Sequence, residues 1–157
     1  MIMSSAMRRR MYRGGRPSRL ARALNRVSAL QFGSGILAPA GWVTMEVTGR
    51  RSGNMVVCPL VVTRYEGERY LVSMLGEKAN WVANVRAAGG DVVLRHGRRE
   101  RVRLVAVEPG ERAPILRRFL TVAPGARPHV PVDRHAPLEE FERIAAGYPV
   151  FRVTPRP

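Results

Sequence analysis

The sequence predicts a single α+β domain built on about six mostly antiparallel strands with flanking helices. Its 157 residues are 45% hydrophobic, which is enough for one domain with a substantial core and too little for two. Apolar residues alternate with polar ones in several short runs bounded by glycine-rich turns, as in half-buried strands. Between and after these runs, apolar residues recur at helical spacing.

The N-terminal segment is strongly basic and differs from the rest of the chain. Residues 1–45 hold eight arginines and no acid, so they carry eight of the fifteen net positive charges. Residues 1–15 are predicted to be a disordered basic arm, and residues 16–40 an amphipathic basic helix and linker. Leu20, Leu24 and Val27 share one side of that helix. The helix could pack on its own domain, which is favoured, lie on an anionic membrane surface, or bind nucleic acid, which is the least favoured.

The same region imitates a secretory signal, with a basic start, an uncharged run and the triplet Ala38-Pro39-Ala40. Polar residues and glycines interrupt the run, which argues against both a signal and a membrane-spanning helix. The single cysteine, Cys58, rules out an internal disulfide and suits a reducing compartment. We therefore expect a cytoplasmic protein, peripheral at the inner face of the membrane if the basic helix binds lipid.

The first half of the domain is predicted to consist of strands. Val43, Met45 and Val47 form one face of a strand that ends at Thr48, and a turn over 49–54 follows. A second strand is predicted over 55–64, where Pro59 indicates an edge or a bulge. A hairpin turn over 65–68 leads to a third strand over 69–74.

The second half mixes helices and strands. A short helix is predicted over 80–88, with Asn80 as its N-cap and Gly89-Gly90 as its stop. After this helix we expect a hairpin over 92–107, a helix from Glu108-Pro109 onward, a proline-rich loop, a helix over 138–146 and a last strand over 150–153. We expect the strands in meander-like order.

Common catalytic motifs are absent from the sequence. It has no nucleophile elbow, phosphate-binding Walker loop, zinc-protease motif or dinucleotide fingerprint. His129, Asp133 and His135 are the best metal candidates, but they lie in a proline-rich loop without helical spacing or cysteine support. A solvated loop is the better interpretation, so we predict neither catalytic nor metal-binding residues.

A cationic turn, Thr48-Gly49-Arg50-Arg51-Ser52-Gly53, is the most concentrated candidate for binding an anion. Arginine forks, a hydroxyl and turn amides suit a phosphate or carboxylate, although an ordinary exposed β-turn fits the same letters. Lys78, the only lysine, precedes a helix N-terminus, which also attracts negative charge. Trp81 could cover a flat ring, or simply pack in the core.

The sequence resembles the deazaflavin-dependent nitroreductase or F420H2-dependent quinone reductase family in the order of five motifs. They are T-G-R-R-S-G, P-L, Y-L-V-S-M, G-x-K and N-W-V-x-N-V-R-A-A-G. The resemblance covers residues 40 to 107 well and residues 148 to 155 loosely. It implies a split β-barrel of the flavin- and deazaflavin-binding type over residues 41–157. It also implies an oxidoreductase that transfers a hydride from reduced F420 to a quinone, nitro or enone acceptor.

The resemblance also implies a cofactor site. The anionic tail of F420 would be held by the turn, the ring would be lined by residues of the second and third strands, and the groove would be closed by the following loop and helix. The residues implied for the tail are Arg50, Arg51, Ser52 and Gly53. Those implied for the ring are Pro59, Leu60, Ser73 and Met74, and those that would close the groove are Gly76, Lys78, Trp81 and Asn84.

Several alternatives stay open. The same barrel could bind FMN, or the chain could be a non-enzymatic basic protein that binds a membrane surface or nucleic acid. Nitroreductase-type members bring tyrosines to the substrate from a C-terminal segment in which this chain has only Tyr148, so the acceptor stays open. A proton could come from solvent, His129 or His135. The protein could be a monomer or a homodimer.

Overall fold

The computed structural model describes residues 41–156. The predictions for the basic arm (1–15) and for the amphipathic helix and linker (16–40) lie outside the described residues.

Seven antiparallel strands form one curled sheet, a half-barrel of the split-barrel type, and its strand order is β2-β1-β5-β6-β7-β4-β3. The strands are β1 (Trp42–Thr48), β2 (Met55–Val61), β3 (Thr63–Tyr65), β4 (Glu68–Val72), β5 (Asp91–Arg95), β6 (Arg99–Ala106) and β7 (Val150–Pro155). The α+β, split-barrel prediction is confirmed.

Two details of the predicted sheet are wrong. The strand predicted over 55–64 is broken at Val62, whose amide donates to the Gly41 carbonyl (2.6 Å), so residues 41–156 form seven strands and not six. The meander order also fails, because β1 pairs with β5 and β7 lies between β6 and β4. Pro59 is nevertheless at an edge, as predicted: β2 is the first strand of the sheet, where a missing amide donor is tolerated.

Within residues 41–156, three α-helices and several short 3-10 turns accompany the sheet. They are α1 (Asn80–Ala87), α2 (Ala113–Val122) and α3 (Leu138–Ile144). The prediction that Asn80 caps α1 is wrong: the extended Ala79 is the N-cap, and it supplies no side-chain bond. The predicted stop is confirmed, because Gly89 and Gly90 both have positive φ, and the Gly90 amide donates to the Val85 carbonyl. No helix within 41–156 is long and apolar enough to cross a membrane.

Two apolar clusters lie on the two faces of the sheet. The first fills the half-barrel, where Met45, Leu71 and Val102 are fully buried and α1 closes one side through Val82 and Val85. The second lies between the outer face of β7, β4 and β3 and helices α2 and α3. Its buried members include Leu116, Phe119, Leu120, Phe141 and Val150.

A buried arginine holds the chain that follows α3. Arg112 is 6% exposed and donates to the carbonyls of Val107 (2.9 Å) and Ala145 (3.0 Å), with longer bonds to Ala146 and Tyr148. Burial lowers the pKa of its guanidinium. The four carbonyls therefore take the place of water around this cation.

Candidate functional site

The cationic turn is a single helical turn between β1 and β2. The Gly53 amide donates to the Gly49 carbonyl (2.9 Å), and the Gly49 amide donates to the Asn54 carbonyl (2.7 Å). Gly53 has φ +73°, a conformation that favours glycine. The Ser52 hydroxyl accepts the Asn54 amide at 3.1 Å. Because a helical turn leaves its first amides without internal partners, the amides of residues 50–52 must be satisfied from elsewhere.

Asn84 supplies one of these partners and ties the turn to α1. Its Oδ1 accepts both the Arg50 amide (3.1 Å) and the Arg50 Nη1 (2.9 Å). The same Nη1 also donates to the Asn80 carbonyl at 3.5 Å. Asn84 is only 5% exposed, whereas Arg50 is exposed. The buried amide group therefore fixes an arginine at the protein surface.

Two further cations, Arg51 in the turn itself and Lys78 just before α1, have no anionic partner within residues 41–156. Arg51 and Lys78 are exposed, and neither forms an ion pair or a side-chain hydrogen bond within the described part of the chain. Glu77 adjoins Lys78, but its carboxylate is bound by Arg86 at 2.7 and 3.3 Å. That hydrogen bond lowers the pKa of Glu77. The ammonium of Lys78 therefore stays available to a ligand.

The loop between β4 and α1 is fixed by its own contacts. Ser73 is fully buried and its Oγ donates to the Gly76 carbonyl at 2.8 Å. Gly76 has φ +77°, and a Cβ there would lie 2.9 Å from the Gly147 carbonyl. Both residues thus shape the loop that carries Lys78. The Ser73 hydroxyl donates within the protein, not outward.

The apolar residues assigned to the ring and to the closure of the groove lie on two sides of the sheet edge. Leu60 and Trp81 are half-buried against the interior cluster, where the Trp81 ring meets Phe151 at 5.7 Å with planes tilted by 58°. Met74 packs against the second cluster, under the helices. Pro59 immediately precedes Leu60 in β2 and faces the opposite side of the sheet from it, because successive side chains of a strand alternate.

The family model for F420H(2)-dependent quinone reductase matches residues 19–138, well over half of the chain. The chain belongs to this family. It is accordingly an oxidoreductase of the F420H2-dependent quinone reductase family. No curated protein matches the sequence.

Solved structures with a TM-score above 0.5 show the same fold at low sequence identity. One described as a domain-swapped dimer is 17% identical over 85% of this chain and 96% of its own, with a TM-score of 0.52. A protein of unknown function from Agrobacterium tumefaciens strain C58 is 10% identical over 80% of this chain and 53% of its own, with a TM-score of 0.53. An F420-H2 dependent reductase is 20% identical over 73% of this chain and 94% of its own, with a TM-score of 0.48.

The histidine loop of this family member is held by local bonds. His129 lies in a 3-10 segment (Pro124–His129), and its carbonyl accepts the Tyr148 hydroxyl at 3.1 Å. Asp133 Oδ1 accepts the His135 amide at 2.8 Å. Within residues 41–156, no group of three histidine, cysteine or acidic side chains is placed to hold a metal ion.

Three contacts at the family site were not anticipated from the sequence. They are the Asn84 clamp on Arg50, the Arg86–Glu77 pair that leaves Lys78 without a carboxylate partner in residues 41–156, and the tilted ring contact of Trp81 with Phe151. The only sequence signal for the clamp is an asparagine on the apolar stripe of α1, where a polar group requires a bonding partner. The predicted assignments of all twelve cofactor residues stay predictions.

Proposed function

We propose that the chain binds reduced F420 at the cationic turn and α1, and transfers a hydride to a quinone, nitro or enone acceptor. The observation that carries this proposal is the arrangement of Arg50, Arg51 and Lys78. One cation is fixed by Asn84, and the other two lack a carboxylate partner in residues 41–156. Three cations around one turn and one helix start favour a ligand with several negative charges.

The donor set fits the tail of such a cofactor. The amide of Arg50 is taken by Asn84, whereas the amides of Arg51 and Ser52 have no partner within the described chain. Two consecutive amides beside two guanidinium groups form a cradle for a phosphate oxygen. Lys78 adds a mobile point charge suited to a carboxylate. FMN has a phosphate but lacks the anionic glutamyl extension of F420. F420 would therefore pair with more of the positive charges of this site than FMN would.

The apolar residues would hold the ring by van der Waals contact and would take no part in the reaction. Bound F420H2 would supply the hydride, and hydride transfer requires proximity and alignment more than an acid or base from the protein. Leu60 and Trp81 would exclude water on the barrel side, and Met74 on the helix side. Ser73 and Gly76 would act indirectly, by fixing the loop between β4 and α1. No side chain is assigned a proton-transfer role.

The test is a pair of fluorescence titrations of the full chain, one with F420 and one with FMN, followed by turnover of F420H2 with a quinone. We expect saturable F420 binding, weak or absent FMN binding, and oxidation of F420H2 only when the acceptor is added. Tight FMN binding without F420 binding would contradict the cofactor assignment. F420 binding without turnover of quinone, nitro or enone acceptors would contradict the reaction.

The non-enzymatic alternatives are separated from this proposal by deleting residues 1–35. A protein whose role is to bind a membrane surface or nucleic acid through that segment should lose its partner, whereas the cofactor site should survive. Three further points remain predictions. They are the division of the chain into segments at residues 15 and 40, its cytoplasmic location, and its state as a monomer or a homodimer.

A further inference from the structure

A second cavity lies on the opposite face of the sheet from the half-barrel interior, and none of the twelve predicted cofactor residues lines it. Its volume is about 530 Å³. The floor is the outer face of β6, β7, β4 and β3, and the wall is formed by the start of α2, by α3 and by the loop before α2. Val105, on the floor, is 39% exposed, which is unusual for a large apolar side chain of this domain.

The rim of this cavity is acidic in a chain that is otherwise basic. Four of the twelve acidic residues surround it: Glu66, Glu108, Glu111 and Glu142. None of the four forms an ion pair with any residue between Gly41 and Arg156, although the chain has 27 basic residues. Among residues 41–156, Arg152 is the only cation in the lining.

Two tyrosines add aromatic surface to the acidic rim. Tyr65 and Tyr70 are half-buried in the lining. The pKa of Tyr70 is raised, first by burial and then by the charges of Glu68, Glu66 and Glu111, while Arg152 opposes the shift. Carboxylates beside aromatic and apolar surface are the surroundings that a guanidinium group prefers.

The basic segment leaves the domain beside this cavity. The Gly41 carbonyl accepts the amide of Val62, which immediately precedes β3. At the rise of a strand, Tyr65 in the cavity lies about 10 Å from Val62. Residues 27–40 can span up to about 45 Å when extended, so the arginines between Arg8 and Arg26 are within reach.

We propose that the acidic cavity is a docking site for arginine side chains of residues 8–26 of the same chain. The guanidinium groups would pair with Glu108, Glu111 and Glu142 and cover Val105 and the tyrosine rings. This contact would hold the basic segment on the domain, and a polyanion would compete for it.

The test is limited chymotryptic cleavage of the full chain after Tyr12, followed by intact-mass measurement. The variant replaces Glu108, Glu111 and Glu142 by glutamine, and the control replaces Glu139 and Glu140, exposed residues of α3 outside the cavity. We expect cleavage at Tyr12 to be at least about fivefold faster in the cavity variant, because cleavage follows the population of the undocked segment. About 0.5 M salt should accelerate wild type similarly.

An arm-side variant keeps the test decisive if the cavity variant is unstable. Replacing Arg8, Arg9 and Arg10 by glutamine leaves the domain unchanged and should also accelerate cleavage. Equal cleavage rates in wild type, the arm variant and the cavity variant would overturn the proposal. Protection that rises between about 1 and about 100 µM protein would also overturn it, since it would show docking on a second copy.

Discussion

At the scale of single residues, the candidate site depends on a buried asparagine. Asn84 contributes no charge, yet its Oδ1 accepts both the amide and the side chain of Arg50. A free arginine side chain loses conformational entropy when it binds a ligand, and an arginine that is already fixed loses less. Asn84 thus prepares the charge that the tail would meet.

Asn84→Ala should therefore weaken F420 binding without removing any cation. Ordering a free arginine side chain on binding costs about 0.5–1.5 kcal/mol, so we expect the KM for F420H2 to rise by up to about tenfold with kcat little changed. Steady-state kinetics measure both constants. The control is Asn80→Ala, which keeps the backbone carbonyl that contacts Arg50. An unchanged KM in Asn84→Ala would show that the clamp does not matter for binding.

Cys58 gives a second prediction at this scale. Burial raises the pKa of its thiol from 9.0 to about 12. Below pH 9 the native thiol is protonated, and its thiolate fraction is lower by a factor of about 1,000 than in the unfolded chain. A disulfide reagent at pH 8 should therefore label Cys58 slowly in native protein and at once in guanidinium. Rapid labelling of the native protein would contradict the interior placement.

At the scale of elements, the turn between α1 and β5 packs tightly against β6. Gly90 has φ +85°, and a Cβ there would clash with the Leu104 carbonyl oxygen. Its carbonyl accepts the Leu104 amide at 2.8 Å. The C-terminal end of α1 is thereby hydrogen-bonded to Leu104 of β6, and this bond fixes the position of α1 over the barrel.

Gly90→Ala should destabilise the domain by about 3 kcal/mol or more, because both the backbone conformation and the contact with β6 are violated. Gly89→Ala is the matched control: Gly89 also has positive φ, but nothing lies within 4 Å of its Cβ position. We expect that control to cost about 1 kcal/mol. Urea unfolding measures both losses, and equal losses in the two variants would refute the steric argument.

Elements with a clear local period were predictable from the sequence, and their exact limits were not. β1 and α2 follow from alternation and helical spacing within a few residues. The break at Val62 does not, because the residues on both sides of Val62 are β-prone and the break follows a bond to Gly41. Asparagine favours N-caps, but Ala79 takes that position because the preceding 3-10 turn (Gly76–Lys78) ends there.

At the scale of the whole molecule, strand order was beyond local signals. Pairing of β1 with β5 joins Thr44 to Arg95, about fifty positions apart in the chain, and no periodic pattern encodes it. The topology nevertheless determines the candidate site. It places α1 beside the β1–β2 turn, so that residues 50 and 84 touch. The order of motifs identified the residues, and the fold explains which of them are in contact.

Charge is also unevenly distributed over the molecule. Glu46, although 6% exposed, is paired with Arg95 (3.0 Å) and Arg99 (2.9 Å), so part of the arginine-rich surface is neutralised internally. Around the cationic turn, no acid of residues 41–156 compensates Arg51 or Lys78. The total charge alone would not distinguish these two regions.

The central claim is that the cationic turn binds the anionic tail of F420, and one titration tests it most directly. F420 fluorescence is titrated with wild type, with Arg50→Ala/Arg51→Ala, and with Arg117→Ala/Arg118→Ala, an equal charge change at exposed positions of α2. The turn variant should bind about 100-fold more weakly, as expected for the loss of two charged contacts, and the α2 variant should match wild type. Equal affinity in all three proteins would contradict the claim.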